Sequence, residues 1–255
     1  MIIAITHQVS PAINQCELTH LERIPIDLER ARIQHNAYEQ ALRSLGVKVL
    51  SLPEAPDLPD SVFVEDAAVV LDECALLTRP GARSRQAEVE SVAQALAPHR
   101  QLFSIRPPGT MDGGDVLTIG KNIYVGLSSR SNQAAIDQIR VILEPYGYTV
   151  IEVQVTGCLH LKSAVTQVGT DVLLFNPAWV DRTNFPGKNF IEIDPYEEYA
   201  ANALMVDGTV LYQPAYPRTL ARLNAEGIHP FLVDESELGK AEGALTCCSL
   251  VFTSS

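Results

Sequence analysis

One local order of predicted elements recurs along this 255-residue chain and restricts its possible folds. A helix that ends at a glycine is followed by a strand, a loop and a two-stranded hairpin, and this order returns about four times. The predicted helices span residues 31–45, 86–97, 132–146 and 217–226. Short apolar strands at residues 2–6 and 249–253 are left over at the termini and could complete a fifth unit. Repeated ββαβ-like units that close on themselves predict a radial, propeller-like α/β ring.

Hairpins and single strands complete each unit. The predicted hairpins pair residues 62–71 with 74–78, 115–119 with 123–127, 163–168 with 172–175, and 203–206 with 210–212. Single strands are predicted at residues 47–52, 101–105, 148–153, 190–193 and 228–233, and residues 176–188 are irregular. An ordinary α/β sheet with a few hairpins is the alternative. The glycines that end three of the helices, Gly46, Gly147 and Gly227, favour the ring.

The reactive side chains of successive units fall in the same place, the loop just before the first strand of the hairpin. The first unit contributes Asp60, Glu65 and Asp66, the second Asp112 and Asp115, the third His160, and the last Cys247. A radial arrangement would bring these loops together near the axis. The resulting set would provide a nucleophile, a general acid/base and a cage for a cation.

Each of these residues also has a purely structural explanation. Asp60 and Asp115 could stabilise turns, and His160 could be a core histidine. Cys247 and its neighbour Cys248 could be small buried core residues. A zinc site is conceivable, but no Cys-x-x-Cys pair and no His-x-His spacing supports one, so no metal is predicted.

Charge and cysteine content argue against several classes of protein. The formal net charge is −12, and no cluster of Lys and Arg is present, which argues against nucleic-acid binding. No apolar run approaches the ~18 residues that span a bilayer, and residues 1–7 predict a strand, not a signal peptide. The five cysteines, an odd number, favour free thiols in a reducing cytoplasm. We expect one catalytic domain over residues 1–255.

A set of short segments resembles a known family from end to end. These segments are residues 34–38, 59–66 (PDSVFVED), 78–82, 109–116 (GTMDGGDV), 124–128, 159–162 (LHLK), 200–202 and 245–249 (LTCCS). Together they resemble the dimethylarginine dimethylaminohydrolases, which belong to the guanidino-group-modifying superfamily. The lid segment, residues 10–26, matches least well. The resemblance implies a five-bladed α/β propeller closed by the N- and C-terminal strands.

The resemblance also implies the roles of individual residues. Cys247 would be the nucleophile, His160 the general acid/base, and Asp112 the carboxylate that orients His160 and touches the guanidinium. The implied substrate-binding residues are Leu18, Asp60, Glu65, Asp66, Arg85, Arg130 and Ala241. Asp66 would bind the guanidinium, and the two arginines would hold the α-carboxylate, for which a planar guanidinium fork is suited. Leu18 would lie in the lid, and Ala241 stands where the family usually has a larger aliphatic side chain.

The implied activity is hydrolysis of an Nω-methylated arginine to citrulline and a methylamine through a covalent cysteine thiouronium. No metal or organic cofactor is expected, and the expected partner is a small guanidino amino acid. Relatives occur as monomers or homodimers. The alternatives are an arginine deiminase, which releases ammonia, an amidinotransferase, and a non-catalytic binder of arginine-like ligands. The first two are generally longer chains, and a binder has no need of the thiol.

Overall fold

The protein is described by a computed structural model that covers residues 1–254. The strands are β1 (Ile2–His7), β2 (Lys48–Leu52), β3 (Ala68–Val70), β4 (Cys74–Leu77), β5 (Gln101–Ser104), β6 (Val116–Ile119), β7 (Asn122–Leu127), β8 (Thr149–Gln154), β9 (Val165–Gly169), β10 (Val172–Phe175), β11 (Asn189–Glu192), β12 (Leu204–Val206), β13 (Thr209–Tyr212), β14 (Phe231–Leu232) and β15 (Leu250–Thr253). The α-helices are α1 (Leu28–Ser44), α2 (Val89–Leu96), α3 (Gln133–Leu143), α4 (Leu161–Ala164), α5 (Pro217–Ala225) and α6 (Ser236–Gly239).

These strands form five three-stranded sheets with one common arrangement. The strand orders are β3-β4-β5, β6-β7-β8, β9-β10-β11, β12-β13-β14 and β15-β1-β2. In each sheet the first two strands pair antiparallel, and the third pairs parallel to the second. In the fifth sheet, Ala4 lies opposite Val251 on one side and Val49 on the other. The α/β class and the fifth unit built from both terminal strands are therefore confirmed.

The first strands of all five sheets line one central cavity of about 260 Å³. Its wall includes Val69 of β3, Leu117 of β6, Thr166 of β9, Met205 of β12 and Val251 of β15. Neighbouring first strands lie side by side, as β15 does with β3 and β9 with β12. This convergence matches the radial arrangement that the repeated unit predicts, and it is incompatible with one continuous sheet.

The helices begin and end at residues with clear local signals. The Asp27 carboxylate accepts a hydrogen bond from the backbone N–H of Arg30 at 3.1 Å and caps α1. The three predicted helix-ending glycines, Gly46, Gly147 and Gly227, have φ angles of 80°, 73° and 78°. A side chain is strained at such angles, so glycine is the residue that suits these positions.

Apolar cores fill the space between each sheet and the segment packed against it. In the second unit, Ile136 and Ile139 of α3 pack with Ile123 and Val125 of β7. Full burial of each such side chain contributes about 1.5–3 kcal/mol. Among residues 1–254, no helix has both the length and the apolar character needed to cross a bilayer.

Some predicted strand boundaries are wrong, chiefly where the chain approaches the polar loops. The strand predicted over residues 62–71 begins only at Ala68, because residues Val64–Ala67 form a 3-10 turn. A strand would point successive residues to opposite faces, whereas this turn buries both Glu65 and Asp66. The strand predicted from residue 163 begins at Val165, because α4 precedes it.

The other differences have local causes. The strand predicted over residues 228–233 is reduced to Phe231–Leu232, because Pro230 cannot donate a ladder hydrogen bond. The helix predicted over residues 86–97 begins as the 3-10 segment Arg83–Glu88 and becomes α-helical at Val89. Residues 176–188 are irregular, as predicted, apart from the 3-10 turn Arg182–Asn184.

Tyr38 joins α1 to the C-terminal part of the chain. Its side chain is fully buried. The hydroxyl donates a hydrogen bond to the carbonyl of Leu245 at 3.0 Å and lies 2.6 Å from the Ser249 hydroxyl. These contacts join segments that are more than 200 residues apart. They help to hold the two ends of the chain in the fifth unit.

Replacing Tyr38 by Phe is expected to lower the free energy of unfolding by about 1–3 kcal/mol, because Leu245 and Ser249 lose a buried partner. The measurement is equilibrium denaturation followed by circular dichroism. The matched control is Tyr196→Phe, since Tyr196 is 84% exposed and its change should stay within about 0.5 kcal/mol. Equal effects of the two substitutions would show that the buried hydroxyl does not stabilise the closure.

Candidate active site

The loops before the first strands meet around a second, much smaller cavity of about 20 Å³. Its lining residues are Glu17, Asp60, Phe63, Asp66, Arg85, Arg130, Leu159, His160, Ala241, Glu242, Gly243 and Cys247. Most of the predicted site residues are in this lining. Four others lie outside it, namely Leu18, Glu65, Asp112 and Asp115. A cavity of this volume holds about one water molecule.

Cys247 lies in the 3-10 segment Leu245–Cys248, shortly before β15. Its backbone N–H donates to the Ala244 carbonyl at 3.0 Å, and its side chain is 8% exposed. Burial raises the pKa of the Cys247 thiol well above its usual range, and the carboxylates of Glu65 and Asp66 raise it further. The thiol is therefore protonated at neutral pH while the cavity holds no additional cation.

His160 lies directly before α4 and pairs with Asp112. Its Nε2 is 3.0 Å from Oδ2 of Asp112 and 3.9 Å from Oδ1 of Asp66. Burial opposes the charged form, but the Asp66 charge and the hydrogen bond to Asp112 raise the pKa of His160 to about 9. The imidazole is therefore protonated at neutral pH, and its Nε2–H donates to Asp112.

Two glycines between Asp112 and Asp115 allow these loops to approach each other closely. A Cβ atom on Gly114 would lie 2.5 Å from Nδ1 of His160. A Cβ atom on Gly113 would lie 1.9 Å from the backbone oxygen of Glu65. Real Cβ atoms do not reach such distances, so side chains at these two positions would push the loops apart.

Asp66 is held by groups from two other segments. Its Oδ2 accepts a hydrogen bond from Nη1 of Arg85 at 2.7 Å, and its Oδ1 accepts one from the backbone N–H of Gly114 at 2.9 Å. Burial alone would raise the pKa of Asp66, but the charges of His160 and Arg85 lower it well below its usual range. Asp66 is thus a fixed negative charge. Arg85 is fixed in turn by Glu88, at 2.9 Å from Nη2.

Glu65 fixes the segment that carries Cys247. Its Oε1 accepts from Nζ of Lys162 at 2.6 Å, and its Oε2 accepts from the hydroxyl of Thr246 at 2.8 Å. Asn202, which precedes the first strand of the fourth unit, donates to the same hydroxyl at 2.9 Å. Cys247 is therefore positioned through the residue next to it.

Asp115 supports the loop that carries His160. Its Oδ1 accepts from the backbone N–H of Leu161 at 3.0 Å, and its Oδ2 accepts from the hydroxyls of Ser128 and Ser131. Burial raises the pKa of Asp115 to about 6, although these donors and His160 favour its ionised form. Asp115 therefore positions the site from outside the cavity lining.

The segment predicted as a lid, residues 10–26, contributes Glu17 to the cavity lining and is joined to the cavity wall. Oδ2 of Asp60 accepts from the backbone N–H of Glu17 at 3.1 Å. Burial raises the pKa of Asp60, and Arg85 partly offsets this effect. Arg130 donates from Nη2 to the Thr19 hydroxyl at 2.9 Å, while its Nη1 lies 3.5 Å from Oδ2 of Asp112.

Leu18, the predicted lid residue, packs against the apolar cluster that includes Ala241 and Cys247. Ala241 itself is buried and lines the small cavity. The small side chain at residue 241 therefore leaves space in the cavity that Cys247 also lines, which a larger aliphatic would reduce.

Glu242 is a site residue that sequence reasoning missed. Its carboxylate accepts hydrogen bonds from the backbone N–H groups of Thr19, His20 and Leu21, and so fastens the lid. Its backbone has a φ of 59°, which is uncommon for a residue with a side chain. No local sequence pattern predicts this contact, because the partners of Glu242 are 221–223 positions away in the chain.

Three of the polar groups could also hold a metal ion. One ligand atom each from Asp66, Asp112 and His160 lie within 4.8 Å of one another. In the described structure these carboxylates already accept from Arg85, Arg130 and backbone N–H groups. The site therefore presents fixed negative charge beside a thiol and an imidazolium, an arrangement suited to an organic cation that the thiol attacks.

Comparison with known proteins gives consistent results. A family profile described as "N,N dimethylarginine dimethylhydrolase, eukaryotic" matches residues 5–184. A relative from Streptomyces coelicolor, N(G),N(G)-dimethylarginine dimethylaminohydrolase, is 41% identical over 252 residues, which are 97% of this chain and 95% of the relative.

Two solved structures match the whole fold. One, from Pseudomonas aeruginosa, is a cysteine-to-serine mutant of this enzyme type complexed with citrulline; it is 33% identical, with a TM-score of 0.93 over 98% of both chains. The other is a histidine-to-glycine dimethylarginine dimethylaminohydrolase in an adduct with S-methyl-L-thiocitrulline; it is 33% identical, with a TM-score of 0.92 over 98% of this chain and 99% of that one. The chain therefore belongs to the dimethylarginine dimethylaminohydrolase family.

Proposed function

We propose that this protein hydrolyses Nω-methylated arginines, dimethylarginine and monomethylarginine, to citrulline and a methylamine. The observation that carries the proposal is that a thiol and a protonated imidazole line one cavity with the fixed negative charge of Asp66. This is the set that a cationic guanidinium needs for nucleophilic attack at its central carbon. The relatives support the same reaction, since one of the similar structures holds citrulline and another an adduct with a thiocitrulline.

Substrate binding follows from the charges around the cavity. Asp66 and Asp112 bind the guanidinium, and Asp60 binds the α-amino group. Arg130 and Arg85 are the proposed partners of the α-carboxylate. Arg85 must exchange existing hydrogen bonds to bind it, because its three nitrogens already donate to Glu88, Asp66 and two backbone carbonyls. Both guanidinium groups already contact acidic side chains, which fixes their positions before the substrate arrives.

Four further residues complete the proposed binding site, namely Glu65, Leu18, Ala241 and Glu242. Glu65 fixes the segment that carries Cys247. Ala241 lines the cavity together with Cys247, and Leu18 packs against the apolar cluster to which both belong. A methylated arginine is much larger than the water-sized cavity, so the contacts of Glu242 with the lid must open to admit it.

The bound cation would activate the nucleophile. Carboxylates and burial hold the Cys247 thiol in its protonated form in the free protein. A guanidinium beside the sulfur adds the opposite charge and lowers the free energy of the thiolate relative to the thiol. The thiol proton leaves to solvent, and the thiolate attacks the central carbon, which forms a C–S bond and a tetrahedral adduct.

His160 would move the protons in both halves of the reaction. As an imidazolium it protonates the methylamine nitrogen, the C–N bond breaks, and a cysteine thiouronium remains. The neutral imidazole then takes a proton from water, and the hydroxide attacks the same carbon. The C–S bond breaks, the hydroxyl proton of the adduct passes to the sulfur, and citrulline is released with the thiol and imidazolium restored. Asp112 holds the ring in place through the 3.0 Å contact at Nε2.

The remaining proposals concern the protein as a whole. Residues 1–255 form one catalytic domain, because loops of all five units contribute residues that line the site or hold its residues in place. Ser255 lies outside the residues that the structure describes. The five free cysteines suit a reducing cytoplasm. Because one chain supplies every described lining residue, either a monomer or a homodimer would have a complete site. The net charge of −12 disfavours nucleic acid as a partner.

The proposed activity is tested by measuring citrulline release from asymmetric dimethylarginine, monomethylarginine and arginine in parallel. We expect turnover of the methylated substrates and a loss of at least about a thousandfold in Cys247→Ser, since serine is a far weaker nucleophile at neutral pH. The control is Cys74→Ser, a buried thiol of β4 that should retain the activity per folded molecule. Turnover of arginine alone would identify a deiminase, and full activity of Cys247→Ser would contradict the mechanism.

The charge on His160 predicts a pH dependence of stability. The folded-state pKa of about 9 is above the ordinary value of 6.5, so the stabilisation from the imidazolium is complete below about 6.5 and is lost as pH rises through 9. We expect the difference in unfolding free energy between wild type and His160→Gln to shrink over this window. Denaturation curves between pH 6 and about 10 measure it, with the exposed His229→Gln as control. A difference that grows with pH would contradict the assigned charge.

A further inference from the structure

Three side chains that the proposed reaction does not use meet behind the nucleophile. They are His35 of α1, Glu235 just before α6, and Cys248, which follows Cys247. One ligand atom from each lies within 4.8 Å of the others. Their exposed fractions are 2%, 0% and 0%. We call this group the His35–Glu235–Cys248 cluster.

The cluster has more polar atoms than partners. Within residues 1–254, neither ring nitrogen of His35 has a hydrogen-bond partner, and Oε1 of Glu235 has none. The other oxygen of Glu235 contacts only the Cys248 sulfur, at 3.6 Å. Buried polar groups in native proteins are almost always paired, so each orphaned atom calls for an explanation.

A simple ion pair does not explain these atoms. Nδ1 of His35 is 3.6 Å from Oε1 of Glu235, which is too long for a hydrogen bond. Glu39 is the other carboxylate near the ring, at 3.9 Å from Nε2, but its oxygens are held by Thr6 at 2.6 Å and by Arg43 at 2.9 Å. A protonated histidine would turn to donate to a free carboxylate oxygen, and here it reaches none.

The spacing fits the edges of a metal coordination shell. Zinc binds imidazole nitrogen and carboxylate oxygen at about 2.0–2.2 Å and thiolate sulfur at about 2.3 Å in a tetrahedron. Those lengths place ligand nitrogen and oxygen roughly 3.4 Å apart, and sulfur and oxygen roughly 3.6 Å apart. The observed separations are 3.6 Å from Nδ1 of His35 to Oε1 of Glu235, and 3.6 Å from the sulfur of Cys248 to Oε2 of Glu235.

Charge balance points the same way. A carboxylate and a thiolate together carry two negative charges, and a neutral imidazole adds none. A divalent ion neutralises them and binds polar atoms that otherwise lack good partners, since Oε1 of Glu235 has no hydrogen bond and Oε2 has only a weak thiol donor. Burial and Glu235 raise the pKa of the Cys248 thiol, so metal binding must expel the thiol proton to solvent.

We propose that the His35–Glu235–Cys248 cluster binds one zinc-type divalent ion, distinct from the site of the reaction. The ion ties α1, the segment before α6 and the C-terminal segment together directly behind Cys247. Three protein ligands leave the fourth position of the tetrahedron to a water molecule, a ligand set that is known from catalytic zinc sites, whereas most structural sites have four protein ligands. Because all three ligands are buried, the ion enters as the chain folds, and its role is to stabilise the fold.

The test measures metal content after refolding from denaturant with zinc chloride under reducing conditions. The parent protein carries Cys247→Ser and His160→Gln, which removes the nucleophile and the histidine of the Asp66–Asp112–His160 group. We expect one equivalent of zinc in this parent. Adding Cys248→Ser or Glu235→Gln should weaken binding by more than the roughly 10–100-fold that loss of an outer-shell partner costs. A parent without zinc, or zinc unaffected by either added change, would overturn the proposal.

A second measurement does not depend on how well the ligand variants fold. Crystals of the parent refolded with zinc chloride are examined by anomalous diffraction at the zinc edge, which locates the ion directly. A peak between His35, Glu235 and Cys248 supports the proposal. A peak elsewhere, or none, overturns it and identifies the cluster as a buried metal-free polar network.

Discussion

The buried carboxylate of Asp66 is the interaction on which the site depends. It contacts Arg85 at 2.7 Å and the backbone of Gly114 at 2.9 Å, and it lies 3.9 Å from Nε2 of His160. These contacts connect the first unit of the ring with the second and third. The same charge helps to keep His160 protonated, and it adds to the larger effects of burial and of Glu65 that raise the pKa of the Cys247 thiol. One fixed anion therefore favours the imidazolium form of His160 and the thiol form of Cys247, and it lies where the proposed function requires a bound cation.

The repeat carried most of what the sequence could predict. The recurring order of helix, glycine, strand and hairpin corresponds to five equivalent sheets, with the terminal strands sharing the fifth. Equivalent loops in such a ring must converge, so the grouping of Asp66, Asp112, His160 and Cys247 followed from their common place in the unit. The family resemblance added Arg85, Arg130 and Ala241, because the repeated pattern of elements does not predict that these residues belong to the site. All three line the cavity.

The remaining features could not be predicted, because they arise from contacts between distant segments. The run before β3 is apolar enough to mimic a strand, yet a turn there buries Glu65 and Asp66 together. Glu242 fastens a lid more than 200 residues earlier in the chain, and Glu235 meets His35 across a similar separation. Such pairs form only when the five units close into a ring. The helix and strand propensities of short segments do not predict which distant residues that closure brings together.

The central claim is that the substrate's positive charge ionises the nucleophile. It is tested by titrating the thiolate ultraviolet absorbance of Cys247, taken as the difference between wild type and Cys247→Ser, with and without butylguanidinium. We predict that the free protein shows a thiolate only at high pH, and that bound butylguanidinium lowers the apparent pKa by at least about one unit. A thiolate already present at neutral pH in the free protein would contradict the account. So would an unchanged titration under conditions where butylguanidinium competes with substrate.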